Sequence, residues 1–321
     1  MFIRPLYRLV PDGTRIQFMR GRYAGLIVSA VLSLASIGLF FYPGLTLGID
    51  FKGGVVMEAR TNGDADIPKI RAAISAQGVR EAGVQRFGDA SSVAIRLDAQ
   101  PTEQANQQMV VKVRAALEAA QPGSRIVRTD AVGATVSGEL FQKGMLALGL
   151  SLLMILAYIW FRFEWQFAVG AVATLVLDLT KAVGFLVITG LEFDLVMVGA
   201  ILTILGFSTN DKVVVYDRMR ENLRKYKSMP LRELIDLSIN ETLNRTLGTS
   251  MTVLLASIPL AIIGGHTLSA FAITMLFGIV VGTSSSVFIA APILLFLGEN
   301  RLRRDMAPPS ATPGKSPAEA G

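Results

Sequence analysis

Apolar residues in this chain are gathered into six long blocks, near 24–42, 144–161, 167–190, 195–217, 246–264 and 269–297. Each is close to the roughly 20 residues that carry a helix across about 30 Å of hydrocarbon. That blocking predicts an α-helical polytopic membrane protein with six transmembrane helices. The composition agrees. Of 321 residues, 51% are hydrophobic and 17% charged, against about one quarter charged in soluble chains. The first block could be a signal peptide. It is longer than the usual apolar core of about 7–15 residues and has no persuasive small-x-small cleavage site, so an uncleaved anchor is expected.

Lys and Arg placement predicts the orientation. Arg4, Arg8, Arg15, Arg20 and Arg22 precede the first block, and Arg162 sits between the second and third. Arg218, Arg220, Arg224, Lys225, Lys227 and Arg232 lie between the fourth and fifth, and Arg301, Arg303 and Arg304 follow the sixth. The loops Leu191–Asp194 and Gly265–Leu268 hold no Lys or Arg. Both termini are therefore expected in the cytoplasm, with segment 43–143 outside. Tyr158, Trp160 and Trp165 fall at the cytoplasmic turn, where aromatic belts form. The expected division is a cytoplasmic segment 1–23, helix 24–42, an external domain 43–143, five helices within 144–297 with a cytoplasmic loop 218–245, and a tail 298–321. In that loop, Leu231, Leu234, Ile235 and Ile239 have helical spacing, which predicts a short amphipathic helix over 228–243 lying on the membrane surface. The tail lacks the apolar content to fold and is expected to be disordered.

The external segment has soluble-domain patterning. Strands are predicted at Val55–Arg60, Val84–Phe87, Val93–Leu97 and Arg125–Asp130, with a hairpin turn at Gly88–Asp89. Asp66 caps a predicted helix with Ile67, Ile70 and Ile74 on one face, ending at Gly78. Thr102 caps a second, with Val110, Val113 and Leu117 inward, stopped by Pro122–Gly123. The order β-α-β-β-α-β is that of a ferredoxin-like α+β unit. Nothing in it looks catalytic.

Several chemistries are set aside. The chain has no cysteine and one histidine, His266, so disulfides, thiol catalysis and multi-histidine metal sites are not expected. There is no P-loop, G-x-S-x-G or H-E-x-x-H. No cofactor or metal is predicted, and no enzymatic reaction. Net charge is +6, but its placement points to the bilayer rather than to nucleic acid.

The informative residues are ionisable groups inside apolar blocks. Asp178 and Lys181, three apart in the third block, share a helix face. At about 1.5 Å per residue, Asp178 lies roughly 17 Å deep, near the midplane. Asp211, in GFSTNDKVVVYDR, lies roughly 24 Å along the fourth block. Arg245 begins the fifth at similar depth, so Asp211 and Arg245 could meet. Lys212 can snorkel to the interface and is the least informative. Asn210 and Asp217 flank this stretch, Asp217 marking the exit to the cytoplasm. A charge at a span's centre costs about 2.5–3.5 kcal/mol on insertion scales, so such groups face the bundle interior and commonly mark proton or ion paths. The other reading is a static Asp178–Lys181 or Asp211–Arg245 pair that fixes helix register. Outside the first block, Gly48, Asp50, Gly53 and Gly54 in GIDFKGG read as a turn into the first strand. Gly278-x-x-x-Gly282 permits close helix packing, and Thr283, Ser284, Ser285 and Ser286 read as helix contacts.

These motifs together resemble the SecD/SecF protein-export family of the RND superfamily. The resemblance rests on GIDFKGG, FRFEWQFAVGAV, LDLTKAVGF, EFDLVMVGAILTILGFSTNDKVVVYDRMRENLRK and NETLNRTLGTS, and covers nearly the whole chain. It implies the SecF-type half of a twelve-span unit in the bacterial inner membrane, its large loop periplasmic. The implied partners are SecD, the SecYEG channel, a YajC-type small subunit and unfolded preproteins. The implied role is coupling the proton motive force to protein export. By motif position, the resemblance places Asp211, Arg245 and Asp178 in the proton path and gives Asp50, Gly53 and Gly54 a structural coupling role. Leu177, where family members often carry His, and Lys52, Lys181 and Lys212 depart from the pattern. Lys181 beside Asp178 weighs against proton carriage by Asp178. The alternatives are half of an RND-type small-molecule exporter, or a scaffold at the channel that transduces nothing.

Overall fold

The computed structural model describes residues 11, 14–79, 83–86, 89–100 and 102–297. The expectations at Arg4, Arg8, Gly88, Arg301, Arg303 and Arg304, and for the 298–321 tail, lie outside the described residues.

A 3-10 turn, Phe18–Gly21, leads into helix α1, Arg22–Phe41. Its buried face is a stripe of small hydroxyls, Ser29, Ser33 and Ser36, repeating at helical spacing. That stripe lets α1 sit close to the third long helix, where a β-carbon on Gly184 would overlap Ser36.

Beyond α1 a single helical turn, α2 (Ile49–Lys52), precedes the sheet domain. Strand β1 (Gly54–Arg60), helix α3 (Ile67–Ala76), β2 (Gly83–Arg86), β3 (Ser92–Leu97), helix α4 (Glu103–Ala120) and β4 (Arg125–Val132) follow. The sheet is antiparallel in the order β2-β3-β1-β4, the ferredoxin-like arrangement expected. Both predicted caps form. Asp66 accepts from Lys69 N at 3.1 Å, and Thr102 Oγ1 from Ala105 N at 3.3 Å. Beneath the helices, Val55, Met57, Val93, Ile95, Ile70, Ile74 and Val113 are fully buried. Strand β3 alternates buried and part-exposed residues throughout, because one sheet face meets the helices and the other does not.

Five further long helices complete the bundle. They are α5 (Ala134–Arg162), α6 (Trp165–Thr189), α7 (Leu195–Lys225), α8 (Leu231–Ile263) and α9 (Gly265–Ser285). The last continues through a π-helical turn, Ser286–Ala290, into α10 (Ala291–Leu297). With α1, six helical segments among the described residues are long and apolar enough to cross a membrane. The π turn lies just before Pro292. Proline cannot donate to the carbonyl four residues back and crowds it, so the preceding turn widens. Helix α7 and the span running from α9 into α10 are the most enclosed. At the α7–α9 crossing a β-carbon on Gly278 would overlap Ile204, and one on Gly282 would lie 3.0 Å from Ser208 Cβ. Gly278-x-x-x-Gly282 therefore serves close packing, as its spacing implies.

The segment between the fourth and fifth spans differs from the expectation. It is neither a loop over 218–245 nor a separate surface helix over 228–243. Helix α7 runs on to Lys225 and α8 starts at Leu231. Leu231, Leu234, Ile235 and Ile239 are buried in the main core. No helix breaker separates 243 from 246. Asn222 donates to Ser238 Oγ at 3.0 Å and to Glu241 Oε2 at 2.7 Å. The apolar stripe thus meets protein rather than lipid headgroups.

Candidate functional site

Four ionisable side chains are buried together in the bundle. Asp178 and Lys181 come from α6, and Asp211 and Lys212 from α7. All are at most 5% exposed. Two carboxylates and two ammonium groups sum to zero charge, the arrangement that a low-dielectric interior favours.

Asp178 is the hub. Its Oδ2 accepts from Lys212 Nζ at 2.9 Å, Ser208 Oγ at 2.8 Å and Ser285 Oγ at 2.7 Å. Lys181 Nζ reaches Oδ1 at 3.4 Å, the i,i+3 pairing expected from spacing. Lys212 Nζ also donates to Ser208 Oγ, and to Ser285 Oγ at 3.2 Å. This ties α6, α7 and α9 through one carboxylate. Lys212 therefore does not snorkel. Four residues after Ser208, it lies on the same helix face as that hydroxyl, and that face meets α6 and α9 rather than the interface.

Asp211 is placed differently. About 100° round the helix from Lys212, it sits beside the hydroxyls of Thr246 on α8 and Ser286 in the π turn, and in the field of the Lys212 ammonium. Those hydroxyls meet its carboxylate at looser geometry than the donors on Asp178. Asp178 is held by lysines and hydroxyls together, whereas Asp211 is held by hydroxyls. The π turn brings Ser286 to this point, and such turns are frequent at functional sites.

The expected contact between Asp211 and Arg245 does not form. The inward face of α8 runs through Thr242, Thr246 and Ser250, whereas Arg245 is exposed. One residue round the helix is enough to give Thr246 the inward place. Asn210 is likewise exposed. Asp217 pairs with Arg162 at 2.7 Å, at the start of the extension beyond the span. Beside it Arg220 pairs with Glu164 at 2.9 Å, and Arg218 with Glu241 at 2.7 Å.

At the other end of α7, GIDFKGG is more than a turn. Gly48 N donates to Phe193 O at 2.9 Å, and Asp50 Oδ2 accepts from Leu195 N, the first residue of α7, at 3.1 Å. A β-carbon on Gly48 would lie 2.8 Å from Asp194 Cβ. Phe51 is buried between Phe141 and Phe193, with ring centroids 5.5 and 5.4 Å away. Gly53 and Gly54 have φ of +78° and +129°, where a side chain is strained. A β-carbon on Gly54 would also collide with Leu97 O of β3. A further pair, Arg96 of β3 with Glu192, joins the sheet domain to the same loop. The helix carrying Asp211 and Lys212 is thus tied at its head to β1 and β3.

Sequence reasoning located Asp178, Lys181 and Asp211 but missed Lys212, Ser208, Thr246, Ser285 and Ser286 as members of the cluster. The i,i+4 spacing of Ser208 and Lys212 was a usable signal. The hydroxyls of α8 and the π turn had none, since their partners lie on other helices. Among the described residues no group of three metal-capable side chains comes together.

Residues 112–300 match the family described as protein export membrane protein SecD/SecF, C-terminal, and residues 38–65 match the SecD/SecF GG motif. The chain is 41% identical over 314 residues to the protein translocase subunit SecF of Rhodobacter capsulatus, covering 94% of each. It is 41% identical over 305 residues to that of Rickettsia akari, covering 94% of this chain and 97% of the relative. Among solved structures, it resembles SecDF of Thermus thermophilus, a translocon-associated membrane protein, with TM-score 0.82 and 30% identity. That match covers 92% of this chain but 40% of the longer one. A SecDF structure in a super-membrane-facing form gives TM-score 0.62 and 29% identity, covering 94% of this chain and 41% of the other.

Proposed function

The chain belongs to the SecD/SecF family as a SecF subunit of the Sec protein translocase, a transport component rather than an enzyme, and on that premise we propose that it converts proton movement into work on exported chains. The observation that carries this reading is the Asp211 carboxylate, one of the four groups of a buried cluster of zero net charge and set against hydroxyls of α8 and the π turn. A proton arriving there changes the cluster from zero net charge to +1 without displacing any bond to Asp178. The hold of the ionised Asp211 on the Thr246 and Ser286 hydroxyls weakens, α7 repacks against α8 and the π turn, and the shift reaches the sheet domain through Asp50, Gly48 and Phe51. Asp178, held by two hydroxyls and two lysines, is the fixed point that keeps α6, α7 and α9 together while α8 and the π turn shift about it. Its saturation favours the register-fixing reading for this one residue.

The partner in this account is a SecD half, since the chain spans about 40% of the SecDF chain it resembles. Together they act beside the SecYEG channel on unfolded preproteins, with a YajC-type small subunit as a further associate. The arginines at the α5–α6 turn and the α7–α8 junction support a cytoplasmic placement for that end and for both termini, with the sheet domain on the periplasmic side of the bacterial inner membrane. The two SecDF forms, matched at TM-scores 0.82 and 0.62 over nearly the same share of the chain, support a fold with more than one arrangement.

Asp211→Asn tests the reading. The variant should co-purify with SecD and retain basal export in vesicles while losing the stimulation a proton gradient gives. Normal gradient stimulation in Asp211→Asn overturns the proposal.

A further inference from the structure

The π turn that carries Ser286 to Asp211 has a wall behind it, which proton uptake at Asp211 does not by itself require. Ser286 and Phe288 are two positions apart, so they leave the turn on nearly opposite sides. Ser286 is fully buried beside Asp211, whereas Phe288 faces α1 and is 36% exposed. Two groups from the start of the chain stand against Phe288. The Phe18 ring meets it edge-on, with centroids 6.0 Å apart. Gly25 of α1 lies so close that an added β-carbon would be 2.8 Å from Phe288 Cβ and 3.2 Å from its carbonyl oxygen. Only a residue without a side chain fits between α1 and this backbone.

The wall is anchored on two sides. Residues 14–21 form a strap across the first turns of α8. Ile16 N donates to Asn240 Oδ1 at 3.0 Å, and Asn240 Nδ2 donates to Ile16 O at 2.9 Å, the two-point pairing of an amide with a peptide group. Met19, fully buried, donates its N–H to Asp236 Oδ1 at 2.9 Å. Further along α1, Ser36 sits in the notch left by Gly184 of α6. Helix α6 carries the Asp178 carboxylate that holds α7 and α9. Gly25 lies between the two anchorages, roughly 16 Å along the helix from Ser36. A side chain at Gly25 therefore displaces the π turn rather than α1.

The wall sets the distance of Ser286 from Asp211. A hydroxyl that donates to a carboxylate favours the ionised form, more strongly as it approaches. The charged groups of the cluster are Asp178 and Lys181 on α6 and Lys212 on α7, whereas α8 and the π turn present the hydroxyls of Thr246 and Ser286 to Asp211. Of these elements, the π turn is the one pressed from behind. We infer that Phe18 and Gly25 are positioning residues for Asp211: through Phe288 they fix how closely Ser286 stands to the carboxylate, and so the pH at which it takes up a proton. The inference rests on the reading of Asp211 as the proton site, and adds a control on it from the start of the chain.

Infrared difference spectroscopy of the full chain with its partner half, in vesicles titrated over pH, tests it. The readout is the protonated-carboxyl band that Asp211→Asn removes. Gly25→Ala presses Ser286 toward Asp211, and Phe18→Ala lets it withdraw. The two should move the midpoint of that band in opposite directions, each by about one pH unit, or tenfold in proton affinity. Asn240→Leu, which removes both strap bonds without touching the turn, should move it as Phe18→Ala does. Gly38→Ala, on α1 with nothing within 4 Å, should leave the midpoint in place. Midpoints unmoved by Gly25→Ala and Phe18→Ala, moved the same way by both, or moved as far by Gly38→Ala would each overturn the inference. So would the absence of any band that Asp211→Asn removes. Shifted midpoints together with normal gradient stimulation in Asp211→Asn would sink the transduction reading and leave this inference standing, so the two failures are distinct.

Discussion

Asp178 and Asp211 carry the same group into the same apolar bundle, yet their surroundings differ in kind. Asp178 accepts three short hydrogen bonds on one oxygen and faces a second lysine with the other. Removing Lys212 leaves part of that charge uncompensated. Lys212→Met should destabilise the bundle by about 3–5 kcal/mol, and Asp178→Leu with Lys212→Met should recover much of the loss. Thermal unfolding of the three proteins in detergent measures both; equal destabilisation in single and double variants would contradict the pairing. Asp211 and Arg245 should behave independently, because Arg245 points out of the subunit. A charge swap at the two positions should show a coupling energy near zero, and a rescue by the swap would show that they meet. The presence of these carboxylates inside apolar blocks was plain from the chain. Which cation each one faces was not, because Lys212 and Arg245 differ only in the direction their helices turn them.

At the scale of elements, α7 is the connecting rod. It spans from the Asp50 carboxylate at Leu195 to the Arg162–Asp217 pair and beyond. Gly54 fixes the joint. Gly54→Ala must place a β-carbon at φ +129° against Leu97 O and should cost about 1–3 kcal/mol. Gly138→Ala, in α5 with nothing within 4 Å, should be neutral or stabilising by up to about 1 kcal/mol. Equal effects at both glycines would remove the argument for a strained joint. Asp50→Ala should leave the buried cluster intact but weaken gradient-stimulated export, because the head of α7 loses its tie to α2. Unchanged stimulation would mean that coupling runs elsewhere. The sheet domain was legible element by element, since period-two strands and capped helices are local signals. The 228–243 helix was misread for the opposite reason. An amphipathic stripe has the same pattern whether it faces lipid headgroups or the side of α7, and only the Asn222 bonds to Ser238 and Glu241 decide between them.

At the scale of the whole molecule, proton-driven transduction would make the sheet domain the moving part and the buried cluster its switch. Most of the molecule's large exposed hydrophobics lie on α1, α5 and α8, which leaves those faces to lipid or to a second six-helix half, while α6, α7 and α9 enclose the charges. The chain contains no cysteine, so two introduced thiols report without background. Spin labels at Arg114→Cys on exposed α4 and Ile263→Cys at the end of α8 would follow the sheet domain against the bundle, in complex with a cysteine-free SecD half. The distance distribution should shift between neutral and low pH in the otherwise native chain and stay fixed at both in Asp211→Asn. The same shift in Asp211→Asn, or none in either protein, would contradict the claim that protonation of Asp211 moves the domain.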